Sequence, residues 1–549
     1  MTRAFSRISH FPLLAVLLAT AATACTTTSL PIGVEEGRGN GTAGADDTPA
    51  AGPYEGLPDE IGQQRLEWAD CGAPTALQGA AVTGEPRDLP DGTPWQCAPL
   101  TVPVDYADPE GATIEIALIR AVSSAPEDTR VGSLVFNFGG PGGSGVGTLP
   151  SAAAEYEELR AGGFDLVSFD PRGVGESAGI VCLDDAELDE YDQTLDSSPD
   201  TPEEEAANEA ANEEYIAACE EHSGELLPHV TTTNTARDMD VLRHVLGDER
   251  LNYFGISYGT ELGAVYAHLF PGKVGRTVLD AVVDPRSDPV AVALLDAEGF
   301  QLALDHYLAD CATQPDCPTG DDPAAGNDVL SGLLDDLDDA PLPTRDPDRR
   351  RLTQGQATTA IAAALYSQDS WEYLTIGLTE ALDEGDGSTL LLLADFYIGR
   401  DPATGQYSNQ GPANAAIRCA DDPSGMTVPE LLEHEDEFVE ASPVFGEFMV
   451  RGLSGCTGWP FTESPEPPAY DAPDAAAPLL LVATTGDPAT PYAGAQRMQE
   501  AIGGADVAPL LTYDGEGHSA YTSGDDCVVE AVNARLLEGT VPEDGTTCG

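Results

Sequence analysis

The apolar run 251–256 (LNYFGI) passes without a spacer into Gly255-Ile256-Ser257-Tyr258-Gly259, and residues 260–269 continue at helical spacing. A strand that becomes a helix in so few residues must turn sharply. Glycine on either side of the serine removes the Cβ atoms that would collide there. Such a helix also has to carry the chain back to begin another strand parallel to the first. Further apolar runs fit that plan: 114–122 (IEIALIRAV), 133–138 (SLVFNF), 164–169 (FDLVSF), 276–283 (RTVLDAVV), 479–484 (LLLVAT) and 508–513 (APLLTY). Two of them stop abruptly, at a glycine cluster after Phe138 and at Asp170-Pro171-Arg172-Gly173. Helical patterns at 235–246 and 260–269 alternate with the runs. The expected fold class is α/β, with a mainly parallel central sheet flanked by helices.

Between Val283 and Leu479 the pattern becomes helical, broken by acidic and proline-rich loops such as 335–351. This predicts a largely helical lid over 285–475, inserted between core segments 61–284 and 476–549. A smaller, very acidic helical excursion is expected at 184–230. Residues 25–60 are rich in Gly, Thr, Ala, Pro and acids and read as a solvated tether. The first 24 residues read as a signal peptide. Arg3 and Arg7 precede a short apolar stretch, and Ala22-Thr23-Ala24-Cys25 follows it. Cys25 is the candidate lipid-attachment residue of a bacterial lipobox, with ordinary cleavage after Ala24 as the alternative.

Acidic residues number 95 against 24 basic ones, for a net charge of −71, and Lys273 is the only lysine. A chain this anionic repels nucleic acid and anionic lipid, so neither is an expected partner, and membrane association is expected only through an N-terminal lipid. Charge spread over the whole length reads as a solvated surface rather than a site. Of eleven cysteines, ten remain once Cys25 is set aside. They fall into neighbours: 71 with 97, 182 with 219, 311 with 317, 419 with 456, 527 with 548. Local disulfides in an oxidising compartment are the default pairing, although spacing alone does not decide connectivity. No CxxC pair or nearby histidine cluster suggests zinc. No metal or organic cofactor is expected.

Ser257 is the candidate nucleophile. Its partners should follow as acid and then histidine, on loops after late strands. Asp487 ends the run LLLVAT and opens a turn at Pro488, and His518 follows APLLTY. Asp284, one strand earlier, is the rival acid. The other histidines weighed (His10, His244, His268, His306 and His434) lack the loop-after-last-strand context. The glycine-rich segment 137–145 lacks the lysine of a phosphate-binding loop, and its free N–H groups suit an oxyanion instead. Pro141 has no N–H, so Gly140 is one expected donor and Tyr258, directly after the nucleophile, the other. Thr490 is placed to steady the Asp487 loop. The segment 170–177 reads as a turn held by glycines and an internal Asp170–Arg172 pair.

Taken together, FGGPGGSG, DPRGVGES, GISYGTELGAVYA, TTGDPATP and GEGHSAY resemble the exported actinobacterial tripeptidyl aminopeptidases. These are relatives of the proline iminopeptidases within the α/β-hydrolase superfamily. The resemblance runs from about residue 61 to the end of the chain. It implies an α/β-hydrolase fold and a serine exopeptidase that removes short peptides from free N-termini of peptide substrates. It also implies a lid narrowing access. Phe138 stands where proline iminopeptidases have histidine, so strict proline specificity does not carry over. An esterase would use the same triad, and a non-catalytic binding protein is the remaining alternative. An exopeptidase needs a carboxylate for the substrate's ammonium group. Asp421, in Ile417-Arg418-Cys419-Ala420-Asp421, is the candidate, with Glu261 as its rival.

Overall fold

The structure, a computed structural model, describes residues 54–79, 84–461 and 466–549. The signal, Cys25 and most of the tether lie outside them. Among the described residues ten strands form one sheet: β1 (Ala69–Asp70), β2 (Gln96–Pro103), β3 (Thr113–Ala121), β4 (Gly132–Asn137), β5 (Phe164–Phe169), β6 (Leu251–Ile256), β7 (Val274–Asp280), β8 (Leu479–Gly486), β9 (Leu510–Glu516) and β10 (Thr546–Cys548). Their order is β1-β2-β3-β5-β4-β6-β7-β8-β9-β10. The first three strands are antiparallel to their neighbours. From β5 to β10 every pairing is parallel.

Strand side chains alternate between two cores, as a period of two requires. Leu134, Phe136, Phe254, Val278, Leu480 and Val482 pack on one face. Val135, Tyr253, Leu279 and Leu481 pack on the other. Each fully buried Leu, Val or Phe contributes roughly 1.5–3 kcal/mol, so both covered faces matter to the stability of the parallel strands. β2 was not expected from the sequence, because its residues QCAPLTVP hold two prolines; it is tolerated close to the sheet edge.

Between β7 and β8 the chain is helical, from Pro289–Cys311 to Gly446–Gly452. These helices have a hydrophobic core of their own around Leu304, Leu308, Leu334, Ile361, Leu374 and Leu390. The excursion forms helices Asp185–Thr194 and Pro202–Ser223, and Asp189 ties it to the lid through Arg400 at 2.8 Å and Tyr407 at 2.9 Å. All five neighbouring cysteine pairs are disulfides. Folded structure reaches further back than residue 61: the Tyr54 hydroxyl donates to Asp240 at 2.7 Å, inside the segment read as tether. The 170–177 reading also needs correction. Arg172 does not pair with Asp170 but makes a buried two-pronged bond to Asp238, at 2.7 and 2.8 Å. Separating a buried guanidinium from its carboxylate would cost about 3–5 kcal/mol, which explains why each acid is matched to its own donors.

Candidate active site

Ser257 stands between the end of β6 and the helix Tyr258–Leu269. Its backbone has φ 58° and ψ −126°, a conformation that side-chain-bearing residues rarely adopt. That strain lifts the side chain out of the sheet, where Ser257 remains partly open to solvent among buried neighbours. Two bonds hold the turn: Ser257 N–H donates to the Asp280 carbonyl at 3.0 Å and Thr260 N–H to the Ser257 carbonyl at 2.7 Å.

Asp487, at the end of β8, is buried. Its two oxygens lie 2.9 and 3.0 Å from His518 Nδ1. Ala489 N–H, Thr490 N–H and the Thr490 hydroxyl each donate to the same carboxylate at 2.9 Å. The acid is thus aimed before any substrate arrives, and Thr490 takes the steadying position expected for it. Burial pushes the His518 pKa down, but the charge and hydrogen bond of Asp487, with the charge of Asp280 behind them, outweigh it and hold the imidazole above its ordinary value. Asp284 is engaged elsewhere, bonded to Arg286 at 2.8 Å and Arg497 at 2.6 Å. Ser257 Oγ has no hydrogen-bond partner among the described residues; contacts of this kind often tighten only when substrate binds.

Asp280 was missed at the sequence level. Its buried carboxylate accepts from the Ser519 hydroxyl at 2.7 Å and from Ala520 and Tyr521 N–H at 3.0 Å each. It therefore fixes the loop carrying His518, while its carbonyl fixes Ser257. An aspartate inside the apolar run RTVLDAVV was the available signal, since a buried carboxylate needs donors.

The glycine-rich loop after β4 approaches Ser257 closely. A Cβ on Gly139 would lie 2.8 Å from Ser257 Cβ, so only glycine fits. Gly140 follows with φ 114°. Tyr258 begins its helix, where the N–H has no partner within the helix. Asp170 steadies the loop through the Ser144 hydroxyl at 2.5 Å and Val146 N–H at 3.1 Å. From the lid, Asn414 donates to the Pro141 carbonyl at 3.1 Å.

Asp421 and Glu261, weighed as rivals, lie close enough for the charge of Glu261 to act on Asp421. Thr232 binds Asp421 through its N–H at 2.9 Å and its hydroxyl at 2.6 Å. The same hydroxyl lies 2.6 Å from the Tyr258 hydroxyl, which links Asp421 to the residue after Ser257. Glu261 accepts from the Tyr470 hydroxyl at 2.9 Å. Burial first, then the charge of Glu261, pushes Asp421 up to about 8 against the pull of Thr232 and Arg418. Glu261 is raised mainly by burial. Both residues are partly buried. The Cys419–Cys456 disulfide braces the segment two residues before Asp421.

A family model described as TAP-like protein matches residues 442–548. Serine protease Hip1 of Mycobacterium tuberculosis is 37% identical over 505 residues, covering 89% of this chain and 93% of that protein. Carboxylesterase B of the same species is 38% identical over 522 residues, covering 92% and 94%. Tripeptidyl aminopeptidase of Streptomyces lividans is 30% identical over 497 residues, covering 88% and 86%.

Proposed function

The chain belongs to the tripeptidyl aminopeptidase family of α/β-hydrolases and is a serine hydrolase, and from that premise we propose that it is an exported exopeptidase releasing short peptides, tripeptides by preference, from free N-termini. The observation that carries this reading is the carboxylate of Asp421, joined through Thr232 to Tyr258 beside the nucleophile, with the charge of Glu261 close enough to act on it. A site selecting an N-terminal ammonium needs an anion at a fixed distance from the reacting serine; an esterase does not. His518 takes the Ser257 proton as Oγ attacks the peptide carbonyl. The Gly140 and Tyr258 N–H groups stabilise the oxyanion. His518 then protonates the leaving amine, and water releases the acyl group. Asp487 keeps the imidazole oriented and stabilises its charged form.

Export rests on the N-terminal signal, with Cys25 lipidated and residues beyond it spacing the enzyme from a membrane. The helices between β7 and β8 act as the lid that limits access to chain ends. A carboxylesterase is the second reading, favoured by the 38% identity to carboxylesterase B. Comparing kcat/KM on a tripeptide amide with that on a short acyl ester separates the two. Preference for the amide, lost on N-acetylation, supports the exopeptidase; preference for the ester, indifferent to a free amine, overturns it.

A further inference from the structure

Two lid helices stand on opposite sides of the nucleophile. Helix Gln410–Asp421 packs on the glycine-rich loop after β4, through Asn414 and Pro141. The residue after helix Gln354–Leu365, Tyr366, instead holds His518, accepting its N–H at 2.9 Å and setting its ring 5.1 Å from the imidazole. In the sheet, β4 and β9 lie on either side of β6. Asp421 is thus on the β4 side and Tyr366 on the β9 side. The leaving group departs toward the histidine that protonates it.

From Tyr366 an apolar strip leads outward. Its ring is 5.6 Å from that of Tyr397, and the two hydroxyls are 3.1 Å apart. Next to Tyr397, Phe396 is 79% exposed, and Leu392, one helical turn earlier, is 51% exposed. Helix Ser388–Ile398 carries a single charged residue, Asp395, which is turned inward and bonded twice to Arg350 at 2.6 and 2.7 Å. The outward face is therefore uncharged in a chain of net charge −71. Grouped exposed apolar side chains are a feature of binding faces, and the ring contacts from Tyr397 through Tyr366 to His518 connect this helix to the reacting groups.

We propose that Tyr366, Tyr397, Phe396 and Leu392 form a docking strip for the leaving part of a peptide substrate, taking apolar side chains just carboxyl-terminal to the scissile bond. This rests on the exopeptidase reading and adds a substrate class to it: peptides with an apolar residue after the released segment. The test uses full-length enzyme and L392S/F396S, whose changes are on the surface. Substrates are Ala-Ala-Ala-Leu-Phe-amide, Ala-Ala-Ala-Ser-Gly-amide and Ala-Ala-Ala-amide. The expected result is a preference for the Leu-Phe peptide of about tenfold in kcat/KM, the scale of one apolar side chain partly buried. L392S/F396S should abolish that preference and leave Ala-Ala-Ala-amide unchanged. Absence of the preference in the unmodified enzyme, or its survival in the double variant, overturns the strip. If no peptide is hydrolysed, the exopeptidase reading itself falls. The strip is then judged by Kd of the Leu-Phe peptide on Ser257→Ala with and without the two substitutions; equal values overturn it. Co-sedimentation with neutral phosphatidylcholine vesicles that depends on Leu392 and Phe396, with peptide binding unaffected, also overturns it.

Discussion

The main-chain carbonyl of Asp280 accepts the N–H of Ser257 at 3.0 Å, and the carboxylate of the same residue holds the three residues that follow His518. Ser257 and the loop that follows His518 are thus both tied to one buried residue at the end of β7, the first through its main chain and the second through its side chain. Asp280→Ala would leave three donors unpaired at about 1–3 kcal/mol each before relaxation. We expect a clear fall in Tm together with a loss in kcat larger than any change in KM. Asp280→Asn, which keeps the shape, should recover much of the Tm but less of the kcat. A normal kcat in folded Asp280→Ala would show that the loop needs no such anchor.

Ser257→Ala should lower kcat by roughly 10⁴–10⁶ with the fold intact, as for other nucleophiles of this type. Circular dichroism and thermal melting check the fold, and a fluorophosphonate probe should label the unmodified enzyme and not the variant. Near-normal turnover in the folded variant would remove Ser257 from the mechanism.

The pH profile follows from the raised pKa of His518. His518 accepts a proton only when neutral, so activity falls as pH drops through its pKa. Because Asp487 holds that pKa up, the acid limb of kcat/KM should lie above the ordinary imidazole value of about 6.5. Asp487→Asn should shift the limb to lower pH while kcat falls about 10⁴-fold. An unchanged limb in that variant would assign it to another group.

Asp421→Asn should cost about 1.5–3 kcal/mol in transition-state binding on a free tripeptide amide, as for a charged hydrogen bond, and little on its N-acetylated form. A carboxyl pushed up to about 8 on folding weakens the fold as pH climbs from its unfolded value near 4 through that folded value. The same variant should therefore melt higher than the unmodified enzyme at pH 8–9, trading function for stability. At pH 7, binding of the free peptide to Ser257→Ala should release protons, read by calorimetry in two buffers, because the incoming ammonium favours the carboxylate. Equal effects on free and blocked substrates would remove Asp421 from recognition.

Cys25→Ser should move the protein from the membrane fraction to the medium if a lipid on that residue is its anchor, since stable anchoring needs more than one acyl chain. Unchanged partitioning would assign the tether elsewhere.

Much of the fold was legible because strands covered on both faces read as short apolar runs: 164–169 and 251–256 match β5 and β6 residue for residue. β1, β2 and β10 escaped notice, being short or interrupted by proline near the sheet edges. Asp487 and His518 stand out because each follows a late apolar run on a strand-end loop, and such loops near the chain terminus are few; folding brings the two to 2.9 Å. Asp280 showed only as an acid inside an apolar run and Tyr366 not at all, since their partners lie 239 and 152 residues away in sequence, which local pattern does not record. Asp421 and Glu261 looked like rivals because they lie far apart in sequence; only folding makes them neighbours.

The most direct test of the account is mass spectrometry of products from a peptide library with free N-termini, set beside the same library N-acetylated. We predict short N-terminal fragments, chiefly tripeptides, from the free library, none from the acetylated one, and none from Ser257→Ala. Internal cleavage, or equal processing of free and acetylated peptides, would contradict the assignment of this chain as an exopeptidase.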